Sequence, residues 1–150
     1  MAIDPGRLNV DLLIKQGNLT LTDLSILKNL QVIDDKMAES TGMLSRVINT
    51  ASNVTFTMAD MGVSDCRFLY IESDQEVTVT LTNDPAQGGL ANAVYYVTPP
   101  SDDPTGQLVD TNIRKVGFCL IKGRAVLTIN VANASGNQAN VRILGCGYQA

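Results

Sequence analysis

Strict alternation over residues 76–82 constrains this 150-residue chain more than any other feature. In Glu76-Val77-Thr78-Val79-Thr80-Leu81-Thr82, the apolar residues Val77, Val79 and Leu81 recur at every second position. Successive residues of a strand point to opposite faces, so the segment reads as a half-buried antiparallel strand. The same Thr- and Val-rich texture recurs to the C-terminus.

Cys66-Arg67-Phe68-Leu69-Tyr70-Ile71 is apolar on both faces apart from Arg67, as a central strand requires. Glu72-Ser73-Asp74-Gln75 follows as a turn, which predicts a hairpin with the Val77 strand. Further on, Val116 to Ile121 is expected to turn at Lys122-Gly123 into Ala125 to Val131. A second turn at Asn133 to Asn137 leads into Ala139 to Leu144, giving a three-strand meander. Met43 to Ile48, Val54 to Met58 and Ala93 to Val97 supply more short strands. Such strands at regular spacing, broken by Gly, Asn and Pro, predict an all-β antiparallel sandwich of jelly-roll kind.

The N-terminal third is less uniform. Residues 1–21 read as an extended arm, with Pro5-Gly6 as a turn, and residues 22–150 as one β-sandwich domain. Leu24, Leu27, Leu30, Ile33 and Met37 recur at helical spacing, which favours one short helix within 22–40. Leu30, Val32 and the turn-like Asp34-Asp35 also permit a strand there. The longest irregular stretch, Thr98 to Asn112, carries Pro99-Pro100 and Asp102-Asp103-Pro104. Loops of that length tend to carry function, so 1–21 and 98–112 are the expected contact surfaces.

Composition narrows the function classes. A chain of this length buries roughly two-thirds of its unfolded surface, enough for a core without staples. With no Trp and few aromatics, that core must be aliphatic. The net charge of −4 and the scattered basic residues offer no positive face for a phosphate backbone, so no nucleic-acid partner is expected. Three cysteines, Cys66, Cys119 and Cys146, lie in apolar runs without metal spacing and read as small buried hydrophobes. That usage fits folding in a cytoplasm. Neither a signal peptide nor a membrane span is read from the sequence.

Candidate chemistry is sparse. There is no His, so the usual general base of a nucleophilic triad is missing and no catalytic residues are assigned. Glu72, Asp74 and Glu76 offer oxygens to a hard cation, but lack the ligand spacing and glycine of a calcium loop. They read as a solvated turn, and Asp102-Asp103 reads the same way. Gly88-Gly89 and Gly145-Cys146-Gly147 do not follow the strand, loop, helix order of a phosphate cradle. No cofactor or metal is expected. Tyr95 and Tyr96 are adjacent on a strand, so only one of them can line any given surface.

Residues 54–148 resemble small structural proteins of tailed-bacteriophage virions. The segments that carry the resemblance are Phe68 to Asp74 with Val77-x-Val79-x-Leu81, Val126 to Asn133, and Ala139 to Gly147. It implies a β-sandwich or jelly-roll subunit, often a homotrimer, on a capsid, neck or tail. The expected function is that of a non-enzymatic head decoration or cement protein. It would assemble in the host cytoplasm and bind the major capsid protein or other virion subunits. A neck, tail or fibre component is the nearest alternative, and a carbohydrate-binding β-sandwich belongs to a different class. The N-terminal arm would be the natural element to reach a neighbouring copy.

Overall fold

The computed structural model describes residues 8–12, 15–16, 19–20, 30–34, 37–87, 92–99 and 116–148. The fold is all-β and antiparallel, as the alternation predicts. Among the described residues, eleven strands follow in chain order: β1 (Leu8–Leu12), β2 (Lys15–Gln16), β3 (Leu19–Thr20), β4 (Leu30–Asp34), β5 (Met37–Ile48), β6 (Ser52–Thr57), β7 (Asp65–Ser73), β8 (Val77–Asn83), β9 (Asn92–Val97), β10 (Gly117–Asn133) and β11 (Ala139–Tyr148). Strands β5 to β11 form one sheet of order β5-β11-β7-β10-β8-β9, with β6 also paired to β10.

Strand β10 organises this sheet. Gly117 to Lys122 runs against Ser73 to Phe68 of β7. The register then shifts between Lys122 and Val126. Beyond the shift, Thr128 to Asn133 pairs with β6 on one edge, while Val126 to Ala132 pairs with β8 on the other. A bulge bends its strand and increases the local twist. The irregularity thus passes β10 from one half, β5-β11-β7-β10, to a second half, β6-β10-β8-β9.

The inner faces of the two halves form one core. Cys66, Leu69 and Ile71 of β7 and Val141 and Ile143 of β11 come from the first half. Val77, Val79 and Leu81 of β8, Ile129 and Val131 of β10, Phe56 of β6 and Val97 of β9 come from the second. All belong to a single buried cluster, the arrangement of two sheets packed face to face. Each large aliphatic side chain buried there contributes about 1.5–3 kcal/mol relative to exposure. Between β6 and β7, Met58 and Val63 close one end of the core, with the Met58 amide donating to the Leu127 carbonyl at 3.0 Å. Glu39 holds this loop from β5, its carboxylate accepting the Ser64 amide at 2.6 Å and the Ser64 hydroxyl at 3.0 Å.

Several local expectations are corrected. The turn at Lys122-Gly123 is absent, because β10 runs unbroken through it. The hairpin expected across Glu72–Gln75 does not form either, since β10 lies between β7 and β8. Likewise β7 lies between β10 and β11, so the C-terminal meander is not one. Both polar links instead carry the chain from one half to the other. Asn133 secures the second link from a buried position. Its Nδ2 donates to the carbonyls of Ile48 at 3.0 Å and Asn137 at 2.8 Å, and its Oδ1 accepts the Ser135 amide and hydroxyl.

The helix favoured within 22–40 is corrected where the chain is described: 30–34 is strand β4, and β5 starts at Met37. Residues 21–29 lie outside the described residues. Within the expected arm, β1 pairs with β4, and β2 with β3. Among the described residues, neither pair joins the large sheet.

Candidate interaction surface

The outer face of the first half is built by register. Three rows cross it: Met43, Leu144, Tyr70 and Leu120; Ser45, Arg142, Glu72 and Phe118; Ser40, Cys146, Phe68 and Lys122. Phe68, Met37 and Cys146 are buried in a small second cluster, with Tyr70, Leu144 and Tyr148 packed on it. Around them the surface stays apolar and open. Met43 is 45% exposed, Val47 55%, Phe118 59% and Leu120 37%. The Phe118 ring stacks on Tyr70 at 6.3 Å between centroids, within the range of favourable aromatic pairs.

A carboxylate is sunk into this face. Glu72 is only 3% exposed. The Tyr70 hydroxyl donates to its Oε2 at 2.6 Å, and Arg142 donates to its Oε1 at 3.2 Å. Buried charges persist when paired and hydrogen-bonded, and these two donors meet that condition. The solvated-turn reading therefore fails for Glu72. Asp74 also has structural partners, accepting the Asn140 amide at 2.7 Å and its Nδ2 at 2.6 Å, while Glu76 is exposed. These three acids do not converge. Among the described residues, no group of three His, Cys, Asp or Glu is placed to hold a metal ion.

The outer face of the second half has different chemistry. Its rows are Tyr96, Thr78, Ala132 and Asn53; Val94, Thr80, Asn130 and Thr55; Asn92, Thr82, Thr128 and Thr57. None of these twelve residues carries a charge. Asn130 Nδ2 donates to Asn53 Oδ1 at 3.1 Å and Thr55 Oγ1 at 2.8 Å. Tyr96 is 72% exposed at its rim, and Tyr95 lies on the opposite side of the same edge strand.

Two glycines mark close backbone approaches. A Cβ on Gly117 would overlap the Thr98 carbonyl and come within 2.8 Å of the Pro99 nitrogen. One on Gly147 would stand 2.5 Å from the Asp65 carbonyl oxygen and from Val63. Gly147 is therefore a packing glycine at the end of β11. Gly88 and Gly89 lie outside the described residues, as do Asp102 and Asp103.

The thiols are free, with Cys66 and Cys146 buried. Burial, reinforced by the neighbouring Cys146 thiol, pushes Cys66 up to about 12 from 9.0. Burial also raises Cys119 and Cys146. An unfolded chain would lose the Cys66 proton near pH 9 while the folded one keeps it to about 12, so the contribution is complete below pH 9 and lost across that window. Urea unfolding measured from pH 8 to pH 11 should show stability falling above pH 9. In Cys66→Ala the fall should be shallower by about one proton; an unchanged slope would show that Cys66 is not the group responsible.

Of the two contact surfaces expected from sequence, 1–21 contributes β1, β2 and β3, and 98–112 is described only at Thr98 and Pro99. The apolar outer face was not singled out. Its signal lay in Phe118-Cys119-Leu120-Ile121, apolar on both faces like the central strand β7, yet paired among the described residues on one edge only. No protein-family model, curated protein or solved structure gives a match to this chain.

Proposed function

We propose that the chain is a non-enzymatic structural subunit of a tailed-phage virion, a head decoration or cement protein that binds capsid subunits and reinforces their junctions. The observation that carries this reading is the outer face of β5, β11, β7 and β10. Met43, Val47, Phe118 and Leu120 stand open there around a packed aromatic centre. Contiguous exposed apolar surface rimmed by polar residues marks protein interaction sites. Covering it stabilises an assembly by about 25 cal/mol per Å², offset by the entropy of ordering the partners. A neck or tail position would use the same face and the same physics.

Co-sedimentation with capsids of the encoding virus tests the reading. The wild-type chain should pellet with capsids at saturable stoichiometry. The variant Phe118→Ser with Leu120→Ser should bind at least about tenfold more weakly, since each residue gives up apolar burial of a kcal/mol or more. A wild-type chain that stays in the supernatant would overturn the proposal, as would a double variant that binds equally well.

A further inference from the structure

We infer that β9 is a self-association edge, pairing antiparallel with β9 of a second copy about a two-fold axis through Tyr95. The contact belongs to the second half of the sandwich, away from the apolar outer face, and does not depend on the virion reading.

Strands β5 and β9 end the path of the large sheet. The free amides and carbonyls of such strands template pairing with another chain, and natural sheets guard them with charges, bulges or prolines. The β5 edge is guarded. It carries Glu39 and Arg46, its register with β11 shifts twice, and Gly42 sits at a φ of 65°. The β9 edge is not. Asn92 to Val97 holds no charge and no proline, and its six pairs with β8 follow one another without a shift. Among the described residues, nothing pairs with its far side.

This edge also has side chains to bury. Val94 is 52% and Tyr96 72% exposed on the outer side of the strand, and Tyr95 is exposed on the other. Valine and tyrosine are the residue types that suit a paired strand.

The pattern of the edge selects a copy of itself as the partner. Groups beside a two-fold axis meet their own copies, so a charge there would face its own sign. Residues 92–98 carry none, and neither do Thr78, Thr80 and Thr82 on the neighbouring strand. With Tyr95 on the axis, Val94 of each copy falls opposite Tyr96 of the other, and Ala93 opposite Val97. Pairs of aromatic and β-branched residues are among the favourable cross-strand contacts. The two most exposed side chains of β9 thus cover each other, twice over by symmetry. An axis through Val94 would instead set Tyr96 against Asn92. The contact uses up both edges and closes at two copies, where the virion resemblance implies three.

A contact one strand wide lies at the small end of specific interfaces, so the dimer should be reversible. Sedimentation velocity on the full chain, from low to high micromolar concentration, should show the 16.1 kDa species give way to one of twice that mass. Val94→Lys places a guarding charge on an exposed position of the edge. It should weaken the dimer at least about tenfold, while its circular dichroism at low concentration matches the wild type.

Cysteines at the two exposed positions read the register. On oxidation, a mixture of Val94→Cys and Tyr96→Cys chains should link the two variants through positions 94 and 96, mapped by mass spectrometry of the joined peptides. Directly opposed Cα atoms stand about 4.5–5.5 Å apart, within disulfide reach. Either variant alone should not join through its new cysteine, because like positions then lie on a diagonal of roughly 7–8 Å. A wild type that stays monomeric through the range would overturn the inference. So would a Val94→Lys dimer of undiminished strength, or linkage that favours the single-variant samples over the mixture.

Discussion

Replacing Ile129 with alanine is expected to cost about 2–5 kcal/mol, the range for emptying a packed aliphatic position. Ile129 has no exposed surface, and its pairing with Phe56 on one side and Leu81 on the other places it at the centre of the second half. Neither neighbour can collapse into the space without leaving its own ladder. For a domain of this size each kcal/mol lowers the melting temperature by roughly 2–4 °C, so calorimetry should show a fall of about 10 °C. Phe118→Ala, a larger truncation at a position 59% exposed, should move the melting temperature by only about 1–2 °C. If the two variants lose stability equally, the division into a buried inner face and an open outer face is wrong.

The second large effect is expected at Gly117. Adding one methyl group there would drive it into the Thr98 carbonyl, a backbone atom that cannot rotate away. Gly117→Ala should cost about 1–3 kcal/mol as overpacking, with valine costing more. The mechanism is specific: the chain leaving β9 must move off the start of β10. Amide exchange should therefore accelerate first at Val97 and Val77, which pair across the β8/β9 ladder. Wild-type stability in Gly117→Ala would mean that Thr98 and Pro99 do not cross this strand closely.

Which residues face inward was legible from the sequence. Val77, Val79 and Leu81 are buried as their alternation requires, and the doubly apolar run from Phe68 to Ile71 lies between two partner strands. Pairing was not legible. Polar links such as Asp74 to Glu76 signal a reversal, but the same few residues can close a hairpin or cross to the opposite sheet. Burial of Ser73 and Asn133 at the mouths of these links favours crossing, and single-residue polarity does not reveal that.

Lys122-Gly123 carries turn chemistry, yet β10 continues because β7 offers a partner before it and β6 and β8 offer partners after it. The leucine spacing of 24–37 suits a helix, but in 30–34 the ladder with Leu8 to Leu12 overrides that local preference. The apolar outer face stayed hidden for a related reason. It is assembled from β5, β7, β10 and β11, four segments separated along the chain and brought together only by register.

A strand common to both halves has a kinetic consequence. The β10 ladders join residues near 130 to residues near 55 and 80, so neither half can complete itself until most of the polypeptide has been made. Closing such distant loops before any reward is slow, on the order of milliseconds to seconds for folds of this type. Until β10 arrives, β6, β7 and β8 wait with open edges, and crowded synthesis should favour clumping at that stage over any later one.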